Sequence, residues 1–156
     1  MPRARIGEVE LEYAVRGEGP AIVLIRGLGT QLIEWSEHLL NGLAELGLMV
    51  VVFDNRDVGL STKCKEDYTL SDMAGDVVGL LDHLALRQAH IFGISLGGMV
   101  AQLVAVEHSD RCLSLCSVMS GSGNPEVPTV RREMRPLPDM TLHNDRQRSL
   151  CSTATS

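Results

Sequence analysis

Ten residues, Ile91 to Val100, run Ile-Phe-Gly-Ile-Ser-Leu-Gly-Gly-Met-Val. An apolar strand, a Gly-Ile-Ser-Leu-Gly turn and an apolar helix follow one another with no residue to spare. A chain that passes from strand to helix so abruptly crowds its own backbone. Gly93 and Gly97, two positions either side of Ser95, stand where a Cβ would collide with the neighbouring strand or helix. This is the Gly-x-Ser-x-Gly nucleophile elbow, in which a strained turn leaves the serine hydroxyl exposed at its tip. The N–H of Leu96 belongs to the start of the helix, has no helical acceptor, and is free to donate to an oxyanion. The pentapeptide alone is a weak signal, and the strand before it and the helix after it give it weight. The plain alternative is an ordinary strand–helix turn that happens to carry a serine.

The rest of the chain has the organisation such a turn requires. Arg3 to Ile6 and Val9 to Val15 read as a hairpin around Gly7-Glu8. Ala21 to Ile25, Leu48 to Phe53 and His90 to Ile94 are continuous apolar runs, as expected of strands buried on both faces of a parallel sheet. Between them the spacing predicts a helix over Ile33 to Leu46, with Leu39, Leu40, Leu43 and Leu46 on one face and Gly47 ending it. A second helix, capped by Ser71, has an apolar face of Met73, Val77, Leu80, Leu81 and Leu84. Leu96 to Val106 forms a third, and Cys112 to Met119 a fourth buried-type strand. Strands alternating with helices give the α/β class, with a parallel sheet and helices on both faces. Past Ser120 no period is sustained. Residues 1–120 are therefore expected to form the core and residues 121–156 an irregular tail.

Charge and cysteine usage narrow the function classes. The net charge of −6 argues against a nucleic-acid partner. The longest apolar run, Leu48 to Phe53, is far too short to span a bilayer, and the N-terminus has no signal-peptide core. Cys64, Cys112, Cys116 and Cys151 show neither Cys-x-x-Cys spacing nor clustering with histidines, so no metal site is expected. Cys112 and Cys116 read as core thiols on a strand. The expectation is a cytoplasmic protein with reduced cysteines.

Three segments now stand in order: Ile22 to Gly29, a buried strand and glycine loop; Phe53 to Ser61, a strand and Asp-x-Arg-x-x-Gly-x-Ser loop; and the elbow. Together they resemble the N-terminal half of an α/β-hydrolase, closest to esterase-like members such as the aclacinomycin methylesterase group, over roughly Ile6 to Pro128. The resemblance implies a mostly parallel sheet, cut short after the strand that follows the nucleophile helix. It implies Ser95 as the nucleophile, with the backbone N–H groups of Leu28 and Leu96 as the oxyanion hole. Gly27 and Gly29 shape the oxyanion loop, and Asp54, Arg56 and Gly59 match a bracing loop of structural role. Arg26 stands where the family often has histidine. The substrate class implied is a small carboxylic ester, with no metal and no organic cofactor. Leucine-rich loops poor in aromatics suggest a small apolar substrate. Cofactor-free haloperoxidase or perhydrolase chemistry is a lesser alternative.

In this family an acid and then a histidine follow the serine, yet only 61 of the 156 residues lie beyond Ser95. His90 and His108 fall at the wrong end of the strand and helix flanking the elbow, and His83 at that same end. His38, in the helix after the oxyanion loop, reads either as a solvated residue or as one able to approach the site. His143 with Asp139 is the pair in the family's order, in an unpatterned segment. A truncated or frame-shifted product, or a fragment of a longer chain, fits these facts, with ester hydrolysis close to background. A non-catalytic binding or dimerising module is the competing reading. The strand from residue 112 to 119 would then be an apolar, unprotected edge open to self-association.

Overall fold

The structure, a computed structural model, describes residues 1–123. Strands β1 (Arg3–Ile6) and β2 (Val9–Arg16) form an antiparallel hairpin with Ile6 opposite Val9. The chain then builds β3 (Ala21–Ile25), helix α1 (Glu37–Glu45), β4 (Met49–Phe53), helix α2 (Leu70–His83), β5 (Ala89–Ile94), helix α3 (Leu96–Glu107) and β6 (Cys112–Val118). The six strands make one sheet in the order β1-β2-β4-β3-β5-β6. β3 runs parallel to both β4 and β5, and β5 runs parallel to β6. From β3 the chain steps to one side for β4, then crosses back to the other side for β5. At such a reversal, loops at the carboxyl ends of neighbouring strands part and leave a crevice.

The apolar strand runs do what their composition implies. Val50, Val51, Val52 and Phe53 are all buried, as are Val23, Leu24 and Ile25. Alternate residues serve opposite faces. Val23, Ile25, Val51, Phe53 and Ile91 pack with Met73, Val77, Leu80 and Leu81 of α2 and Val100, Ala101 and Val104 of α3. Leu24, Val50 and Val52 pack with Leu32, Trp35 and Leu40 on the other face. Burying each such side chain stabilises the fold by about 1.5–3 kcal/mol before conformational entropy is counted.

Three details differ from the sequence expectation. The helix over Ile33 to Leu46 is a 3-10 turn at Leu32–Glu34 followed by α1, with Ser36 extended between them (φ −60°, ψ 125°). Leu40 alone of the expected stripe is fully buried, while Leu39 and Leu46 are exposed, because Leu32 and Trp35 fill the space against the sheet. Helix α2 is capped by Thr69 rather than Ser71. The Thr69 hydroxyl accepts from the Asp72 N–H at 3.1 Å and the Thr69 N–H donates to the Asp72 carboxylate at 2.7 Å, a reciprocal capping box. Cys112 is half-buried and Cys116 exposed, not core thiols. They lie on β6, the last strand of the sheet among the described residues, which exposes Leu113 and Leu115 as well. The expected tail lies outside the described residues from position 124 onward.

Candidate active site

Ser95 occupies the turn between β5 and α3 with φ 55° and ψ −121°, a region that residues with a Cβ seldom enter. The conformation is held from several directions. The Ser95 N–H donates to the Val118 carbonyl at 2.9 Å, and the Ser95 carbonyl accepts from the Gly98 N–H at 2.9 Å. A Cβ on Gly97 would meet the carbonyls of Ile25 and Arg26, and one on Gly93 would meet the Gly97 carbonyl. The glycines flanking the serine thus let α3 begin directly against β3 and β5. Ser95 itself stays exposed while Leu96, Gly97 and Gly98 are buried.

The loop after β3 comes up against this turn. A Cβ on Gly27 would lie 3.3 Å from Ser95 Cβ and 3.9 Å from Ser95 Oγ, so the chain at Gly27-Leu28 borders the hydroxyl. Thr30 closes the loop, its hydroxyl donating to the Gly27 carbonyl at 3.0 Å, and Gly29 adopts φ +67°. No hydrogen-bond acceptor takes the N–H of Leu28 or of Leu96 among the described residues. Two backbone donors are therefore available on the two segments that flank Ser95.

The loop after β4 fastens the loop after β3 from behind. The buried Asp54 carboxylate accepts from the Leu32 N–H at 2.6 Å, and Asn55 Nδ2 donates to the Arg26 carbonyl at 3.3 Å. Burial holds the Asp54 carboxyl above its ordinary range, opposed by the N–H groups of Leu32 and Leu60. Ser61 Oγ donates to the Asp54 carbonyl at 2.7 Å and accepts from the Glu12 N–H at 2.9 Å. Arg56 forms two 2.7 Å hydrogen bonds with Asp76, a carboxyl pushed upward by burial. Gly59 packs on the Asp54 carboxylate, where a Cβ would collide. Asp54, Arg56 and Gly59 thus hold structure together. Asn55 was not legible as a support of this loop, because it falls at no fixed position of the Asp-x-Arg-x-x-Gly-x-Ser pattern.

No histidine among the described residues forms a hydrogen bond with Ser95. His90 Nδ1 pairs with Ser114 Oγ at 2.8 Å, and His83 Nε2 with Tyr13 Oη at 3.3 Å. His108 ends α3, and His38 is exposed in the first turn of α1. Ser95 Oγ makes no hydrogen bond among the described residues. His143 and Asp139 lie outside them.

Residues 20–150 match the alpha/beta hydrolase fold family. The chain belongs to that family. Among its relatives is the rhodomycin D methylesterase DnrP of Streptomyces peucetius, 31% identical over 129 residues, a match that covers 78% of this chain and 43% of the relative. Another is the 3-oxoadipate enol-lactonase 2 of Acinetobacter baylyi, 33% identical over 106 residues, covering 67% of this chain and 39% of the relative. In three dimensions the alpha/beta hydrolase sheet superposes on the enol-lactonase from Burkholderia xenovorans LB400 with a TM-score of 0.74 and 33% identity, covering 78% of this chain and 47% of that one. This alpha/beta hydrolase chain thus spans less than half the length of each of these relatives. Among its described residues no helix is long and apolar enough to cross a membrane.

Proposed function

We propose that the chain carries the nucleophile half of a serine ester hydrolase. Ser95 Oγ attacks the carbonyl carbon of a small carboxylic ester and gives its proton to water, and the N–H groups of Leu28 and Leu96 stabilise the tetrahedral oxyanion. Collapse breaks the ester C–O bond, releases the alcohol and leaves an acyl-serine that water hydrolyses. The observation that carries this reading is the positive-φ backbone of Ser95, held at an exposed turn beside two unclaimed backbone donors. Strain of this kind persists where the surroundings enforce it, and it clusters at working sites. The relatives' names as methylesterase and enol-lactonase support acyl transfer to water. Backbone donors and a serine need neither metal nor organic cofactor for that step.

A serine without a base is a poor nucleophile at neutral pH. Binding and an oxyanion hole alone leave roughly 10³–10⁴-fold catalysis over water in serine hydrolases stripped of their triad. Slow turnover of p-nitrophenyl acetate, lost in Ser95→Ala, is the expected result with the 156-residue chain. Turnover that survives Ser95→Ala would place the chemistry elsewhere.

A second reading, a module that pairs with its own copy, is favoured by β6. Its sequence Cys-Leu-Ser-Leu-Cys-Ser-Val carries no charge, whereas the opposite edge, β1, carries Arg3 and Arg5. Antiparallel pairing of two β6 strands would set no like charges against each other and would satisfy both open edges.

A further inference from the structure

Among the described residues two arginines lie over aromatic rings, and they differ in one respect. Arg56 sits 4.9 Å above the Tyr68 ring and Arg26 sits 4.8 Å above the Trp35 ring. The fork of Arg56 is filled, its Nε and Nη2 each donating to one oxygen of Asp76 at 2.7 Å. The fork of Arg26 is not. Its Nη2 reaches Glu34 Oε2 at 3.4 Å, and its buried Nε has no acceptor. Trp35 is 4% exposed, and its indole Nε1 also has no acceptor among the described residues. Two donors deprived of water and of partners, on stacked side chains, are rare in folded proteins. They carry the full cost of lost hydration until an acceptor arrives.

Glu34 is not built to be that acceptor. Its other oxygen is held by the Gln31 N–H at 2.6 Å, so it cannot present both oxygens to the fork. It is also 46% exposed, and a long contact to an exposed carboxylate is weak and readily exchanged. The Arg26 side chain keeps 18% of its surface in solvent while its Nε lies below the surface, so an incoming anion reaches the fork by displacing Glu34 from Nη2. Its location matters as much as its vacancy. Arg26 immediately precedes Gly27, the residue that borders Ser95.

We propose that Arg26, stacked on the Trp35 ring, is a subsite for a carboxylate, and that the ester acted on at Ser95 is a small one bearing a free carboxylate. Two coplanar oxygens match the side-on Nε/Nη2 fork, as Asp76 demonstrates at Arg56. The carboxylate site stands on the orphaned donors alone, while its assignment to an ester substrate rests on the reading of Ser95 as nucleophile. The apolar substrate suggested by the leucine-rich loops is thereby given a charged end.

Trp35 is the sole tryptophan of the chain, so its fluorescence reports this site directly and without turnover. The full chain is titrated with glutarate, monomethyl glutarate and the neutral dimethyl glutarate. Saturable changes in emission are expected with the first two and none with the third. Arg26→Gln should weaken glutarate binding by about tenfold or more, Arg26→Lys should not restore it because the fork is lost, and Glu34→Gln should tighten it by removing the competing carboxylate. Ser95→Ala should bind glutarate as the parent does. Equal responses to the neutral diester, no saturable response, or glutarate binding indifferent to both the Arg26 and Glu34 substitutions would each overturn the proposal. Circular dichroism of each variant establishes that it is folded, and the Glu34→Gln arm tests the site with Arg26 intact. Glutarate binding without ester turnover would defeat the nucleophile reading alone. Turnover indifferent to a carboxylate, with Trp35 silent, would defeat the subsite alone.

Discussion

At the scale of single residues, the carboxyl of Asp54 links the fold to the site. It is buried and accepts the Leu32 N–H at 2.6 Å, so it anchors the loop that carries Leu28. Its pKa is raised by burial above the 3.8 of a free aspartate. A carboxyl raised on folding stabilises the folded state fully below its unfolded pKa, and that contribution is lost as pH rises through the folded value. Asp54→Asn keeps an acceptor for Leu32 but cannot ionise. It should therefore flatten the fall in stability between about pH 4 and neutrality, read from urea midpoints across that range. An unchanged slope would mean that Asp54 ionises as freely as in the unfolded chain. Gly97→Ala makes a different kind of test. A methyl there meets the carbonyls of Ile25 and Arg26, so a loss of several kcal/mol is expected from overpacking against rigid backbone, or a soluble protein whose Ser95 no longer reacts.

At the scale of elements, α2 shows how a cap decides where a helix begins. Thr69→Ala removes one half of the capping box and should cost about 1 kcal/mol. Ser71→Ala removes only an exposed hydrogen bond to Glu107 at 2.8 Å and should stay within about 0.5 kcal/mol. Urea denaturation of the two variants separates the roles, and equal losses would contradict the assignment. The same helix shows what a sequence makes legible. Met73, Val77, Leu80 and Leu81 follow a 3.6-residue period and are buried, while Thr69 and Ser71 are both plausible caps until the reciprocal Asp72 is noticed. The strand runs were legible because burial on both faces demands unbroken apolar residues, as in Met49–Phe53. The stripe Leu39-Leu40-Leu43-Leu46 misled because leucine also occupies exposed helix positions, and because Ser36 breaks the segment where no glycine or proline marks a stop. Ser95 was legible from Gly93 and Gly97, whose absence of side chains leaves a fixed spacing. Arg26 and Trp35 were not, because their meeting depends on the course of the loop between them.

At the scale of the molecule, the sheet formed by the described residues has two unlike edges. β1 guards one with arginines, and β6 leaves the other uncharged, with Leu113 48% and Leu115 42% exposed. Sedimentation velocity across a concentration series should show a monomer–dimer equilibrium, shifted to monomer by Leu115→Lys, which places like charges across a two-fold contact. A monomer at every concentration would remove the self-pairing reading. The larger question is whether this half-length alpha/beta hydrolase chain keeps a reactive serine. The turn that strains Ser95 and the loop at Gly27, where an added Cβ would lie 3.9 Å from Ser95 Oγ, lie wholly within the described residues. Slow phosphonylation of Ser95 should therefore persist, at the rate the turn and the backbone donors support without a base. Incubating the 156-residue chain with a fluorophosphonate and locating the adduct by peptide mass spectrometry tests this directly. A single adduct on Ser95, absent from Ser95→Ala, is the expected result. An unlabelled chain, or one labelled at another residue in both proteins, would contradict it.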